Sequence, residues 1–161
     1  MDELQEAAAR VAARLIARRE TVAVSESSAG GLIAAALLTV PGASRYFLGG
    51  AVVYTAAARE ALLSITPQEM SGLRSSSEPY AQLLAHRTRD KMKASWGLAE
   101  AGAAGPTANR YGDAAGHSCL AISGPSEAVT TLETDSSDRF DNMRAFAAAA
   151  LALLASALER S

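Results

Sequence analysis

The sequence predicts an α/β fold, a three-layer α/β/α domain around a mixed, mostly parallel sheet. Three observations predict it. Short β-branched runs alternate with helical patterns in the first part of the chain, as crossover connections between parallel strands require. Two strand-like runs near residue 120 are joined by a short Ser-Gly-Pro-Ser turn, as in an antiparallel hairpin. The chain is 161 residues long, with 49% hydrophobic and 5% aromatic residues. Nearly a quarter of it is alanine. Such a core is built from Ala, Leu, Val and Ile, with Ala-rich helices packed closely on a sheet. The length fits a single domain, residues 1–161.

Each element has its own signal. Residues 2–19 read as a helix, with Leu4, Ala8, Val11 and Leu15 at helical spacing and Arg18 and Arg19 in the last turn, where they suit the negative dipole end. Thr21 to Val24 reads as a buried strand. It stops at the small-residue run Ser25 to Gly31, and a helix follows from Leu32 to about Thr39, ended by Pro41-Gly42. Gly50 to Thr55 reads as the second strand, and Ala56 to Ser64 as a helix. Thr66-Pro67-Gln68-Glu69 begins a further helical turn. Ser77-Glu78-Pro79 opens a long helix to about Trp96, which is expected to anchor the core at that helix's end. Leu98 to Ala101 is a weak strand, and Gly102 to Gly116 a long loop containing Pro106, Asn109, Arg110 and Asp113. Ser118 to Ile122 and Ala128 to Leu132 read as paired strands, and Phe140 to Arg160 as the closing helix.

Composition excludes several function classes. A net charge of −2 argues against nucleic-acid binding through a basic face. A single cysteine, Cys119, excludes an internal disulfide framework and a Cys-only zinc site, and two histidines argue against a metal site built by the protein. No run reaches the roughly 20 uncharged apolar residues of a membrane span. The N-terminus, Met1-Asp2-Glu3, differs from a basic signal-peptide start, so the expectation is a cytoplasmic protein with no membrane partner.

Three segments carry candidate chemistry. From Val24 to Gly31 a strand runs through a small-residue turn into a helix, the place where open α/β sheets bind ligands. Gly30 and Gly31 permit close backbone approach, and the helix end offers N–H groups to a phosphate or carboxylate. Ser27 or Ser28 stands at this lip, or simply caps the helix. The loop Gly102-Ala103-Ala104-Gly105-Pro106 follows another strand. Tyr54 to Arg59 ends a third, where Arg59 either clamps an anion bidentately or is solvated. Glu26 either orients a nucleophile or pairs with a base. Arg139 and Arg144 bind phosphate or form surface ion pairs. His86 reads as surface, His117 as structural and Cys119 as core.

The run Val22-Ala23-Val24-Ser25-Glu26-Ser27-Ser28-Ala29-Gly30-Gly31 resembles the Ala-Glu-Ser-Cys-Thr-Gly-Gly signature of the CinA C-terminal domain family, which includes nicotinamide mononucleotide deamidases. The resemblance continues through Val40-Pro41-Gly42-Ala43-Ser44, Tyr46 to Gly50, Val52-Val53-Tyr54-Thr55, Ser77-Glu78, Gly102 to Pro106, Gly116, Asp138-Arg139 and Arg144. It implies a three-layer α/β/α fold, with no counterpart here of the N-terminal domain of longer CinA proteins. It also implies hydrolysis of the carboxamide of nicotinamide mononucleotide to nicotinic acid mononucleotide and ammonia, without cofactor or metal. By the resemblance, Ser27 matches the nucleophilic serine, and Arg59 stands where the family has a lysine expected to act as base. The implied catalytic set is Ser27, Tyr54 and Arg59. The implied substrate-binding set is Glu26, Ser28, Gly30, Gly31, Ser44, Gly102, Gly105, Arg139 and Arg144.

The departures from the family pattern concentrate in these segments. Tyr-Ser-Asn-Glu-Ala-Lys reads here Tyr54-Thr55-Ala56-Ala57-Ala58-Arg59, and Arg cannot be deprotonated in a protein. The signature Cys-Thr is Ser28-Ala29, a Thr or Ser before the Gly-rich loop is Ala101, and the loop continues as Thr107-Ala108-Asn109-Arg110. The expected partner is a small nucleotide, met either by a weakened amidohydrolase or by a non-catalytic binding relative. Apolar residues such as Phe47 and Leu48 suggest self-association into a homo-oligomer.

Overall fold

A computed structural model describes residues 1–160. In chain order the elements are α1 (Asp2–Arg18), β1 (Val22–Glu26), α2 (Leu32–Leu38), a 3₁₀ turn at Ala43–Arg45, β2 (Phe47–Val52), α3 (Ala56–Leu63), α4 (Glu78–Met92), β3 (Trp96–Ala103), β4 (His117–Ser123), β5 (Ala128–Glu133) and α5 (Arg139–Arg160).

The five strands form one sheet in the order β2-β1-β3-β4-β5. β1 pairs parallel with β2 and with β3, while β3–β4 and β4–β5 are antiparallel. Four strands therefore point one way and β4 alone runs against them. The sheet is mixed, as expected from helical crossovers early and a hairpin late. Alternation along the strands sends residues to two faces. Val22 and Val24 of β1, Trp96 and Leu98 of β3, and Leu120 and Ile122 of β4 share one core with α1, α2 and α5. Ala99 and Ala101 of β3 with Cys119 and Ala121 of β4 face a second core, with Leu63 of α3 and Tyr80, Ala81, Leu84 and Ala85 of α4. These are the three layers.

Local chemistry explains most boundaries. Thr55 accepts the Ala58 N–H at 3.1 Å and starts α3, and Ser77 accepts the Tyr80 N–H at 3.4 Å and starts α4, where Pro79 fits the first turn. Thr66 and Glu69 exchange side-chain-to-backbone bonds at 3.2 Å each, a capping box that closes one turn and goes no further. β2 lies three residues earlier than the β-branched run suggests, because Thr55 serves α3 and leaves Tyr54 outside the sheet. α4 stops at Met92, with Lys93 left-handed at φ 53°, so Trp96 does not end that helix; it opens β3. There it is fully buried and donates its indole N–H to Glu20 at 3.0 Å. β3 is consequently an eight-residue central strand, and Gly102 and Ala103 belong to it rather than to the following loop.

α5 is long and apolar enough, by length and composition, to cross a membrane. In this fold Phe146, Ala147, Ala150, Leu151, Leu154 and Leu158 bury its apolar side in the first core. On the edge strand β2, Leu48 and Val52 are exposed, whereas Phe47 is half-buried against the first core.

Candidate functional site

The C-terminal ends of β1 and β3 open onto a cleft of about 310 Å³ on the α3–α4 side of the sheet. Four residues expected from the sequence line it: Ser27, Tyr54, Arg59 and Gly102. Strand alternation decides between the two candidate serines. Ser27 continues the phase of Ala23 and Ser25 and reaches the cleft half-buried. Ser28 continues the phase of Glu26 and is buried on the opposite side, where its hydroxyl donates to Glu100 at 2.5 Å. Neither serine caps α2; Gly31 occupies that position.

Two buried carboxylates organise the turn between β1 and α2. Glu26 accepts N–H bonds from Gly31 at 3.1 Å and from Ile33 and Ala34 at 2.9 Å each. It thus caps α2 from inside and, among the described residues, forms no ion pair with a basic side chain. Glu100 accepts the backbone N–H groups of Ser27 at 2.9 Å and Ala29 at 2.8 Å on one oxygen. Its other oxygen takes the hydroxyls of Ser28 and Ser118, the latter at 3.2 Å. The backbone donors expected to meet a ligand's phosphate are therefore engaged by the protein's own acids. Gly30 and Gly31, at φ 68° and 103°, shape this turn, and they do not line the cleft. Burial pushes both carboxyls above the usual range; the hydrogen bonds oppose this, and at Glu26 the charge of Glu100 adds to it.

The remaining expected residues divide. Arg139 donates to the Gly105 carbonyl and, at 3.2 Å, to the Tyr54 hydroxyl, stapling α5 and the 104–116 loop to the cleft's rim. Arg144 lies elsewhere, over the Phe140 ring in a hollow shared with Glu3 and Asp141. Ser44 precedes β2, at the sheet edge opposite to the one Ser27 occupies. Of the three lost polar side chains, only Ala101 lines the cleft. Ala29 is fully buried in the first core, and Ala56 lies in a neighbouring shallow hollow with Arg59.

Arg59 is held from two sides. Its guanidinium donates to Ser75 Oγ at 3.1 Å and lies 5.4 Å from the centre of the buried Tyr80 ring. Burial raises the Tyr80 phenol above its ordinary value, against the pull of Arg59. Asn109, Arg110 and Tyr111 form the far wall. The sequence places them in the long loop from Gly102 to Gly116, where Asn109 and Arg110 carry no expected role and Tyr111 is not singled out. Their only local signal was Asn109 four residues before Asp113, a spacing that closes a turn. No aspartate, glutamate, lysine or histidine lines the cleft among the described residues. No cluster of His, Cys, Asp and Glu suited to a metal ion occurs among them either.

Behind the cleft, His117 places Nδ1 2.5 Å from Glu133 and Nε2 2.7 Å from the Ser76 carbonyl, so both ring nitrogens face acceptors and both donate as an imidazolium. Burial opposes that charge, but Ser76, Glu133 and Asp113 outweigh it and raise the pKa above its ordinary 6.5. His117 therefore stabilises the fold fully below pH 6.5, and loses that effect as pH rises through the raised value. Urea unfolding of the wild type and His117→Gln is expected to show a stability gap at about pH 6 that narrows towards about pH 9. A gap that widens with pH contradicts the assignment. Cys119 is buried 3.8 Å from His117, and burial raises its thiol pKa, which disfavours the thiolate.

Comparison with known proteins agrees with this architecture. Residues 4–158 match the CinA C-terminal domain family. A "CinA-like protein" of Anaeromyxobacter sp. (strain K) is 39% identical over 156 residues, covering 96% of this chain and 38% of the relative. A "CinA-like protein" of Gloeobacter violaceus is 38% identical over 116 residues, 72% of this chain and 27% of the relative. The chain thus spans well under half the length of these relatives. A competence-damaged protein (CinA) superfamily structure from Klebsiella pneumoniae superposes with a TM-score of 0.91 at 24% identity, covering 98% of this chain and 99% of that one. Another from Enterobacter cloacae gives 0.88 at 28% identity over 96% and 92%. With nearly its whole length matched and the mixed sheet reproduced, the chain belongs to the CinA C-terminal domain family.

Proposed function

We propose that the cleft binds a nicotinamide mononucleotide-type ligand and is a nicotinamide-nucleotide amidohydrolase site with attenuated turnover. The observation that carries this is the meeting of the Ser27 side chain and the Arg59 guanidinium in one cleft lined by no acidic side chain. Ser27 is the nucleophile towards the ligand's carboxamide carbon. The C–N bond breaks, ammonia leaves, and water releases the acid. Tyr54, 61% exposed and pinned at its hydroxyl by Arg139, offers a flat face to the pyridine ring. Arg59 holds the 5′-phosphate.

Attenuation follows from the same cleft. Serine needs a proton acceptor, and guanidinium does not accept one at physiological pH. Loss of a general base costs roughly 10²–10⁴-fold in rate. Binding without turnover is the second reading, favoured by Arg59 itself. The deciding experiment is ammonia release from nicotinamide mononucleotide, beside a thermal-shift titration with the same compound. Slow release that disappears in Ser27→Ala is the expected result. Binding with equal background rates in both proteins leaves the second reading standing. Absence of binding removes both.

A further inference from the structure

The far wall of the cleft is a built structure. Asn109 Oδ1 accepts the N–H groups of Tyr111 and Asp113 at 3.0 Å each, and Asn109 Nδ2 donates to Asp113 at 2.9 Å. Asp113 in turn receives Arg74 bidentately at 2.6 and 3.1 Å. The Tyr111 ring lies 5.4 Å from the Arg74 guanidinium and 5.2 Å from that of Arg110. Arg110 also donates to the Tyr111 hydroxyl at 3.1 Å. Ser75, whose Oγ receives Arg59 at 3.1 Å, lines the same cleft as Tyr111 and Arg110. Arg59 and Arg110 thus line one cleft, each donating to a neutral hydroxyl.

The charges do not balance. Arg74 is matched by Asp113, whereas the hydrogen-bond partners of Arg59 and Arg110 are a serine and a tyrosine hydroxyl. The cleft holds two positive charges and no lining carboxylate among the described residues. A phosphate monoester carries about −1.5 to −2 near pH 7, with three acceptor oxygens. A nucleoside carries no such group, and a phosphodiester carries a single negative charge.

We propose that Arg110 is the second arm of a two-arginine site for a phosphate monoester dianion, and that it selects mononucleotides over nucleosides. This rests on the same cleft as the proposed function, extending it to ligand selection. Arg110 is exposed on its turn, so its replacement leaves the core intact.

Calorimetric titrations of wild type, Arg110→Gln and Arg110→Lys with nicotinamide mononucleotide, its unphosphorylated riboside and inorganic phosphate test it. Arg110→Gln is expected to weaken the mononucleotide and inorganic phosphate about 10–100-fold and to leave the riboside unchanged. Arg110→Lys recovers part of that loss, and wild-type affinity for the mononucleotide falls below about pH 6 as the phosphate regains its proton. Equal effects on mononucleotide and riboside, no effect on either, or no phosphate binding by the wild type overturn the proposal. The two readings fail separately. Arg110-dependent phosphate binding without any ammonia release sinks the hydrolase and keeps the site. Ammonia release indifferent to Arg110→Gln does the reverse.

Discussion

Glu100→Ala is expected to destabilise the protein by about 4 kcal/mol, whereas Glu100→Gln keeps it folded. The fully buried carboxylate receives two backbone N–H groups and two serine hydroxyls. Removing it strands four donors, three of them buried, at about 1 kcal/mol or more each. That is a large part of the 5–15 kcal/mol typical of a domain. Glutamine retains a carbonyl oxygen for Ser27 N and Ala29 N. Its amide N–H₂ meets Ser28 Oγ and Ser118 Oγ, which rotate to accept. pH provides the second test. Burial raises the Glu100 carboxyl above its ordinary 4.5, so the folded state holds the proton more tightly than the unfolded chain does. Its stabilising contribution is full below pH 4.5 and is lost as pH rises through the raised value. The stability of Glu100→Gln relative to wild type should therefore improve with rising pH over that window. Urea unfolding across pH reads both effects. Glu100→Ala unfolding like wild type would remove Glu100 from its organising role.

Glu100 also shows where the sequence stopped being legible. The layers, the parallel-then-antiparallel sheet and the helix starts at Thr55 and Ser77 were readable, because periodicity and capping are local. Glu100 was not. A single acid among Leu98, Ala99 and Ala101 suggested a weak strand, and the N–H of Ser27 that it receives lies 73 residues away. Trp96 was misplaced because the left-handed turn at Lys93 carries no glycine to announce it. The signature from Ser25 to Gly31 lies at the sheet edge onto which the cleft opens. Its glycine-rich backbone donates to Glu26 and Glu100, so the proposed ligand contacts rest on side chains instead. Arg110 stands out in the sequence only as a loop residue that departs from the family pattern, with no role attached. Its hydrogen bond to the adjacent Tyr111 is local, and only the fold brings it into one cleft with Arg59.

Arg59→Lys is expected to raise ammonia release from nicotinamide mononucleotide by about 10²–10⁴-fold, the range that a positioned general base supplies. Position 59 faces the cleft with Ser27 and packs over Tyr80, so a shorter ammonium there enters the same space. Unlike guanidinium, it titrates within reach of neutral pH once a neighbouring cation and partial burial lower its pKa. Arg110, which lines the same cleft, is the cation proposed to do so. The substitution has a counter-effect, because it removes one fork of the phosphate site and should raise KM while kcat rises. The KM-against-kcat split therefore separates the two roles assigned to this position. Adding Ala101→Thr restores a hydroxyl where one lines the cleft. Ala29→Thr would force one into the first core and is expected to lower stability without helping catalysis. A folded Arg59→Lys, Ala101→Thr protein that binds the mononucleotide and releases no ammonia above Ser27→Ala would exclude Ser27 hydrolysis of this substrate. The cleft would then be a binding site, with Arg59 and Arg110 its main contacts.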